Sequence, residues 1–140
     1  MKYMKGYGIE IKEIEGKGRG VFATKPFNKG DSIEIAPTLV LNQSDSDAIR
    51  TTKLDSYHYC LTVGEEGLPI DNHGDDNGEA VIGLGFTSLY NHHKQPNADY
   101  VVTRDKVYII ALREILPNEE ITINYMWPET LMIKNGMQYA

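Results

Sequence analysis

Apolar and polar residues alternate along much of the chain, and that period of two predicts strands. Ile9-Glu10-Ile11-Lys12, with Ile14 close behind, has the pattern of a half-buried strand. Val21-Phe22-Ala23-Thr24 gives a second, after the glycine-dense turn Glu15-Gly16-Lys17-Gly18-Arg19-Gly20. Pro26 to Asp31, centred on Asn28-Lys29-Gly30, marks another turn. Ile33-Glu34-Ile35-Ala36 alternates again, and an extended apolar run from Thr38 to Leu41 follows Pro37. Further strands are predicted over Ala80 to Gly85, Ala98 to Arg104, Lys106 to Leu112 and Ile121 to Asn124, the last after a turn at Pro117-Asn118-Glu119-Glu120. Between these lies a polar stretch, Asn42 to Lys53, where Ser44 and Ser46 are candidate caps for a short helix through Ala48 and Ile49. The expectation is a mainly β chain of many short strands with a short helix.

Composition narrows this. The chain has 140 residues, 41% hydrophobic and 24% charged, enough for one domain with a real core and ordinary for a globular protein. One cysteine, Cys60, excludes an internal disulfide framework and an all-cysteine zinc cage within one chain. The net charge of −6 argues against a general nucleic-acid binder and suits a basic partner, though it also simply favours solubility. No apolar run is long enough to span a bilayer, and the N-terminus lacks the apolar stretch of a signal peptide, so no membrane and a cytoplasmic location are expected. Residues Met126 to Ala140 carry Trp127, Leu131, Met132 and Ile133, and are expected to fold back on the body.

Chemistry concentrates in a few places. Asn91-His92-His93-Lys94-Gln95-Pro96-Asn97 stands where the chain leaves one buried element and enters the next, a position suited to a binding loop but equally to a turn. Gly16, Gly18 and Gly20 permit positive φ and a close approach of backbone to ligand, or serve a plain hairpin turn. They form neither a dinucleotide fingerprint nor a phosphate loop, because a strand follows and no Gly-Lys-Ser/Thr is present. His58 and Cys60 would share a strand face but lack further ligands, so no metal is expected. Asp71, His73 and Asp75 alternate as in a calcium loop, but Asp76 stands where glycine is required, and Glu65 to Glu79 reads as a flexible acidic loop. In Glu119-Glu120-Ile121-Thr122-Ile123-Asn124-Tyr125, alternation puts Ile121, Ile123 and Tyr125 on one face, ending either in a packed tyrosine or in a phenol aimed into a site.

Taken in order, these motifs resemble the SET-domain family of protein lysine methyltransferases. Lys17-Gly18-Arg19-Gly20-Val21-Phe22-Ala23 is similar to its first motif and Leu54-Asp55-Ser56-Tyr57 to its tyrosine-bearing segment. The Asn91 to Asn97 stretch resembles Asn-His-Ser-x-x-Pro-Asn, with His93 in place of Ser. Glu119 to Tyr125 resembles Glu-Glu-Leu-Thr-x-x-Tyr. The resemblance spans Ile9 to Trp127 and is closest in length to the minimal viral and bacterial members. It implies one SET domain over residues 1–140, with core motifs over 9–127 and a tail over 128–140. The fold implied is a β-clip-like set of small sheets with a threaded C-terminal segment and one or two short helices. Zinc-binding flanks are absent, so closing the lysine channel would fall to the tail.

The resemblance implies S-adenosylmethionine as cofactor. It assigns the backbone around Lys17, Gly18, Arg19 and Gly20 to the methionine portion, Asn91 to the amino-acid end, the His92 backbone to the adenine and Trp127 to stacking on it. Tyr57 and Tyr125 would line the channel joining cofactor and lysine, Tyr125 as the aligning catalytic group and Tyr57 as the group that orients the amine. Tyr100 and Ile123 lie where the family sets the number of methyls. A free lysine has a pKa of about 10.4, so a neutral amine at pH 7 costs roughly 4–5 kcal/mol. A sulfonium beside it in a dry channel lowers that cost, and no strong base is needed. The partner implied is a lysine-containing, basic protein or peptide, with a homodimer left open and no direct nucleic-acid contact. The competing class is a β-rich module that binds a peptide or small molecule without chemistry.

Overall fold

A computed structural model describes residues 5–16, 18–62 and 80–125. Two sheets carry the fold. The first runs β1 (Lys5–Gly6), β2 (Ile9–Ile14), β3 (Gly18–Ala23), β9 (Glu120–Ile123) and β6 (Asn91–His92) in spatial order. The second runs β5 (Val81–Gly83), β4 (Ser32–Val40), β8 (Lys106–Ala111) and β7 (Ala98–Val102). Neighbours pair antiparallel except β6 and β9, which run parallel with Asn91 opposite Thr122 and His92 opposite Ile123. Strand β9 therefore lies between β3 and β6, joining the end of the described chain to its beginning and middle. Residues beyond Tyr125, where the threading implied by the family would continue, lie outside the described residues, as do 63–79.

The mainly β expectation holds, and alternation explains most of it. Along β2, Ile9 and Ile11 are buried while Glu10 and Lys12 are half-buried. Along β8, Val107, Ile109 and Ala111 are buried. The core joins these to Val21, Ala23, Phe27, Val81, Val102, Ile115, Ile121 and Ile123, so both sheets face one apolar interior.

Three local expectations are corrected. Plain alternation would bury Ile33 and Ile35 together, but a register shift between Ser32 and Glu34 breaks the period in β4. Ile33 is 6% exposed, Ile35 is 53% exposed, and Glu34 turns inward. The helix is α1 (Gln43–Ile49), and its cap is Asn42, whose side chain accepts from Asp45 N at 2.8 Å, rather than Ser44 or Ser46. Ser46 is buried and its hydroxyl accepts the Ala80 amide at 2.9 Å, tying α1 to the entry of β5. Strand β5 ends at Gly83 because Gly85, at φ +64, turns the chain into a 3-10 turn over Thr87–Leu89. Pro37 is tolerated inside β4 because it falls where pairing passes from β8 to β5.

Candidate active site

The parallel pair β6–β9 brings the two most distinctive motifs together. Asn97, 3% exposed, locks them: its Oδ1 accepts the Thr122 amide at 2.8 Å and its Nδ2 donates to the Glu120 carbonyl at 2.8 Å. One side chain thus completes a backbone ladder between the Asn91 loop and β9.

Asn91 stands at the β3 side of this junction. Its Nδ2 donates to the Arg19 carbonyl at 2.8 Å and to Glu120 Oε2 at 2.7 Å. With both amide hydrogens spent, Oδ1 remains to accept from an incoming cationic amine. This arrangement suits a cationic group at Asn91 and offers no side-chain hydrogen to an anionic one. Gly20 packs against the same pair: a Cβ there would lie 2.7 Å from Glu120 Oε2 and 3.0 Å from Asn91 Nδ2. Only glycine lets β3 come this close. An open cleft of about 680 Å³ lies along the β2–β3 hairpin, lined by Glu13, Ile14, Glu15, Gly16, Gly18 and Arg19. It reaches from the hairpin tip to the residue whose carbonyl holds Asn91. Lys17 lies outside the described residues, as does Trp127.

His92 and Tyr125 form the other half. The Tyr125 amide donates to His92 Nδ1 at 3.0 Å, and the two rings lie 5.3 Å apart between centroids. Nδ1 must therefore be unprotonated, and burial, with His93 beside it, holds the His92 pKa below its ordinary value. The Tyr125 hydroxyl donates to the Tyr90 carbonyl at 2.6 Å. Burial pushes the Tyr125 phenol well up, helped by Tyr57 and Glu120 nearby. It stays neutral, donating its hydroxyl hydrogen to the Tyr90 carbonyl, and a phenol oxygen that donates in this way can still accept.

Further tyrosines surround it. The Tyr100 hydroxyl makes a long contact, 3.5 Å, with the Tyr125 carbonyl, and its ring lies 5.2 Å from that of Tyr59. Tyr59, whose hydroxyl donates to the Thr87 carbonyl, is held neutral by burial and then by Tyr125, Tyr100 and Glu34 around it. Tyr57 is half-buried, and its carbonyl accepts from Ser88 Oγ at 3.0 Å. Tyr57, Tyr100 and Tyr125 thus converge, whereas Ile123 is 1% exposed and packs in the core beneath them. Gly18, at φ +90, opens β3.

Sequence reasoning missed four participants. Glu34 accepts from the Tyr90 hydroxyl at 2.8 Å and from the Phe86 amide at 2.8 Å. Tyr90 and Tyr59 were hidden among ordinary apolar positions. The His92 side chain was overlooked in favour of its backbone.

Known proteins are similar to this chain in sequence and fold. The family model "SET domain" matches residues 18–126. A Schizosaccharomyces pombe histone-lysine N-methyltransferase, H3 lysine-37 specific, is 35% identical over 120 residues, covering 84% of this chain and 72% of that protein. The zebrafish N-lysine methyltransferase KMT5A-A is 26% identical over 127 residues, covering 84% of this chain but 35% of its own length. Among solved structures, a Plasmodium falciparum protein assigned as a histone methyltransferase matches with a TM-score of 0.62 and 26% identity, covering 84% of this chain and 92% of that one. The Neurospora histone lysine methyltransferase DIM-5 matches with a TM-score of 0.62 at 18% identity, covering 84% and 51%, and shows the fold alone. A family model matched over most of the chain, on the motifs that meet at Asn91 and Tyr125, makes this chain a member of the SET-domain family.

Proposed function

We propose that this chain methylates the ε-amine of a lysine in a basic protein, with S-adenosylmethionine as donor and Tyr125 as the catalytic group. The observation that carries the reading is the Tyr125 hydroxyl, pinned at 2.6 Å to the Tyr90 carbonyl one residue before Asn91. When bound, S-adenosylmethionine supplies an electrophilic methyl on a positively charged sulfur. Asn91 Oδ1 would receive its ammonium, and the open space beside Gly18 would take the chain behind it.

The protein's own residues do the rest. The neutral Tyr125 oxygen accepts a hydrogen bond from the substrate nitrogen and aims it, without acting as a base. Tyr57 and Tyr100 wall the approach with aromatic surface, which excludes water and favours the uncharged amine. Their faces also tolerate a methylated cation. The net charge of −6 suits a lysine-rich partner, and the target in the S. pombe relative's name makes histone H3 the first substrate to test.

The test is methyl transfer from labelled cofactor to histone H3 and to a proteome, by wild type and Tyr125→Phe. The expected result is cofactor binding retained in Tyr125→Phe and transfer reduced by about 100-fold or more. Cofactor binding by the wild type without any protein labelling favours the non-catalytic binding module. Full turnover by Tyr125→Phe removes that residue from the mechanism.

A further inference from the structure

We propose that Glu34 and the side chain of Tyr90 position Tyr125, so that a carboxylate on β4 sets the orientation of the reacting phenol. The inference rests on the reading of Tyr125 given above. Glu34 grips both ends of the segment 86–90: Oε2 takes the Phe86 amide and Oε1 takes the Tyr90 hydroxyl, each at 2.8 Å. The carbonyl of that same Tyr90 accepts the Tyr125 hydroxyl at 2.6 Å. The line of contact runs from carboxylate to hydroxyl, through one residue, to carbonyl and phenol. Tyr90 is 1% exposed, so its ring cannot swing away. The backbone of Gly85 passes so close to Glu34 that a Cβ there would meet Oε2, so the carboxylate is built into the turn.

Other side chains depend on the same segment. The Tyr59 hydroxyl donates to the Thr87 carbonyl and Ser88 Oγ to the Tyr57 carbonyl at 3.0 Å. Three tyrosines of the site are therefore keyed to a stretch whose two ends one carboxylate holds. Burial raises the Glu34 pKa, and the Phe86 and Tyr90 hydrogen bonds draw it back. An apolar pair would fill this space without burying a charge. What the carboxylate adds is a fixed direction for the Tyr90 peptide.

Glu34→Gln and Tyr90→Phe test this, each alone and combined with Tyr125→Phe. Glutamine keeps an acceptor for Tyr90 but sets an N–H against the Phe86 amide. Phenylalanine keeps the ring and removes the hydroxyl. Each single variant is expected to lower kcat about ten- to a hundredfold, the size expected when a reacting group is misplaced by up to an ångström, with the cofactor Kd within about twofold. Added to Tyr125→Phe, neither should slow the residual rate further. A second readout uses the protein without cofactor: the ζ-carbon resonance of labelled Tyr125 should move in both variants and stay put in Phe27→Leu, a core change elsewhere. Losses that multiply in the Tyr125→Phe background, or an unmoved Tyr125 resonance, overturn the proposal. If wild type transfers no methyl, the proposed function fails, and the resonance still decides whether Glu34 sets Tyr125.

Discussion

Gly20→Ala places one methyl where β2, β3 and β9 close on Asn91. The new carbon would sit 2.6 Å from Ile14 Cδ1 on β2 and 2.7 Å from Glu120 Oε2 on β9, with Asn91 Nδ2 at 3.0 Å. Contacts between carbons are comfortable at about 3.5–4.0 Å, so the methyl is about 1 Å too close to atoms on both neighbouring strands. Ile14 can move its tip. Glu120 and Asn91 cannot move freely, because their 2.7 Å bond and the Arg19 carbonyl fix them. Gly20 does not sit at positive φ, so the cost is crowding alone. Overpacking of this kind costs about 1–3 kcal/mol, and weakening a charge-assisted hydrogen bond has a similar size. Both describe one displacement and do not add, so the loss should be about 2–3 kcal/mol. At about 3–4 °C per kcal/mol for a chain of this length, Tm should fall by about 6–12 °C. Cofactor affinity should fall about tenfold or more, because Asn91 Oδ1 shifts with its amide. Differential scanning fluorimetry and titration calorimetry measure both. Adding Asn91→Ala should shrink the affinity effect of Gly20→Ala. A variant with wild-type Tm and unchanged cofactor Kd would refute the close-approach argument.

Saturating S-adenosylmethionine, at a hundred times its Kd, should stabilise the wild type by about 2.7 kcal/mol, a rise in Tm of about 8–11 °C; no shift counts against cofactor binding. Asn97→Ala strands the Thr122 amide and the Glu120 carbonyl in the interior and should cost about 2–4 kcal/mol, read from urea unfolding, with Asn97→Asp no rescue because it lacks the donor. Ile109→Ala, at a position with 0% exposure, should cost about 2–5 kcal/mol in the same assay; a loss under 1 kcal/mol would mean the core closes over the gap. The His92 pKa is lowered, so the neutral form is favoured in the fold: its contribution is complete above the ordinary value of 6.5 and is lost as pH falls through the folded value below that. In an NMR titration the His92 ring should titrate below 6.5, and the Tyr125 amide resonance should move with the same midpoint because it donates to Nδ1; a midpoint at or above 6.5 contradicts the assignment.

The strands β2, β7 and β8 were legible because local alternation and burial agree along them. Strand β6 was not, because two residues carry no period; its pairing is decided by Thr122 and Ile123, some thirty positions on. The inward turn of Glu34 was hidden for a related reason. A bulge is a property of two strands together, and Ile33-Glu34-Ile35-Ala36 read alone gives the wrong face. Asn42 was passed over as a cap because the serines inside the helix carry the same chemistry one turn later. At the site, the motif residues Asn91, His92 and Tyr125 could be named from sequence. Most of their partners could not, because Asn91 donates to the Arg19 carbonyl as well as to Glu120, and Tyr125 to the Tyr90 carbonyl, and a carbonyl carries no sequence signature.

The insertion of β9 between β3 and β6 sets an order of assembly. As the polypeptide leaves the ribosome, every strand up to Ala111 except β6 finds a partner among the strands made by then, while β3 keeps one bare edge and β6 stays unpaired until Glu120 to Ile123 arrives. A translation product halted before Glu120 would expose two strands ready to stick to its neighbours, and would also lack Tyr125, the residue proposed to align the transfer.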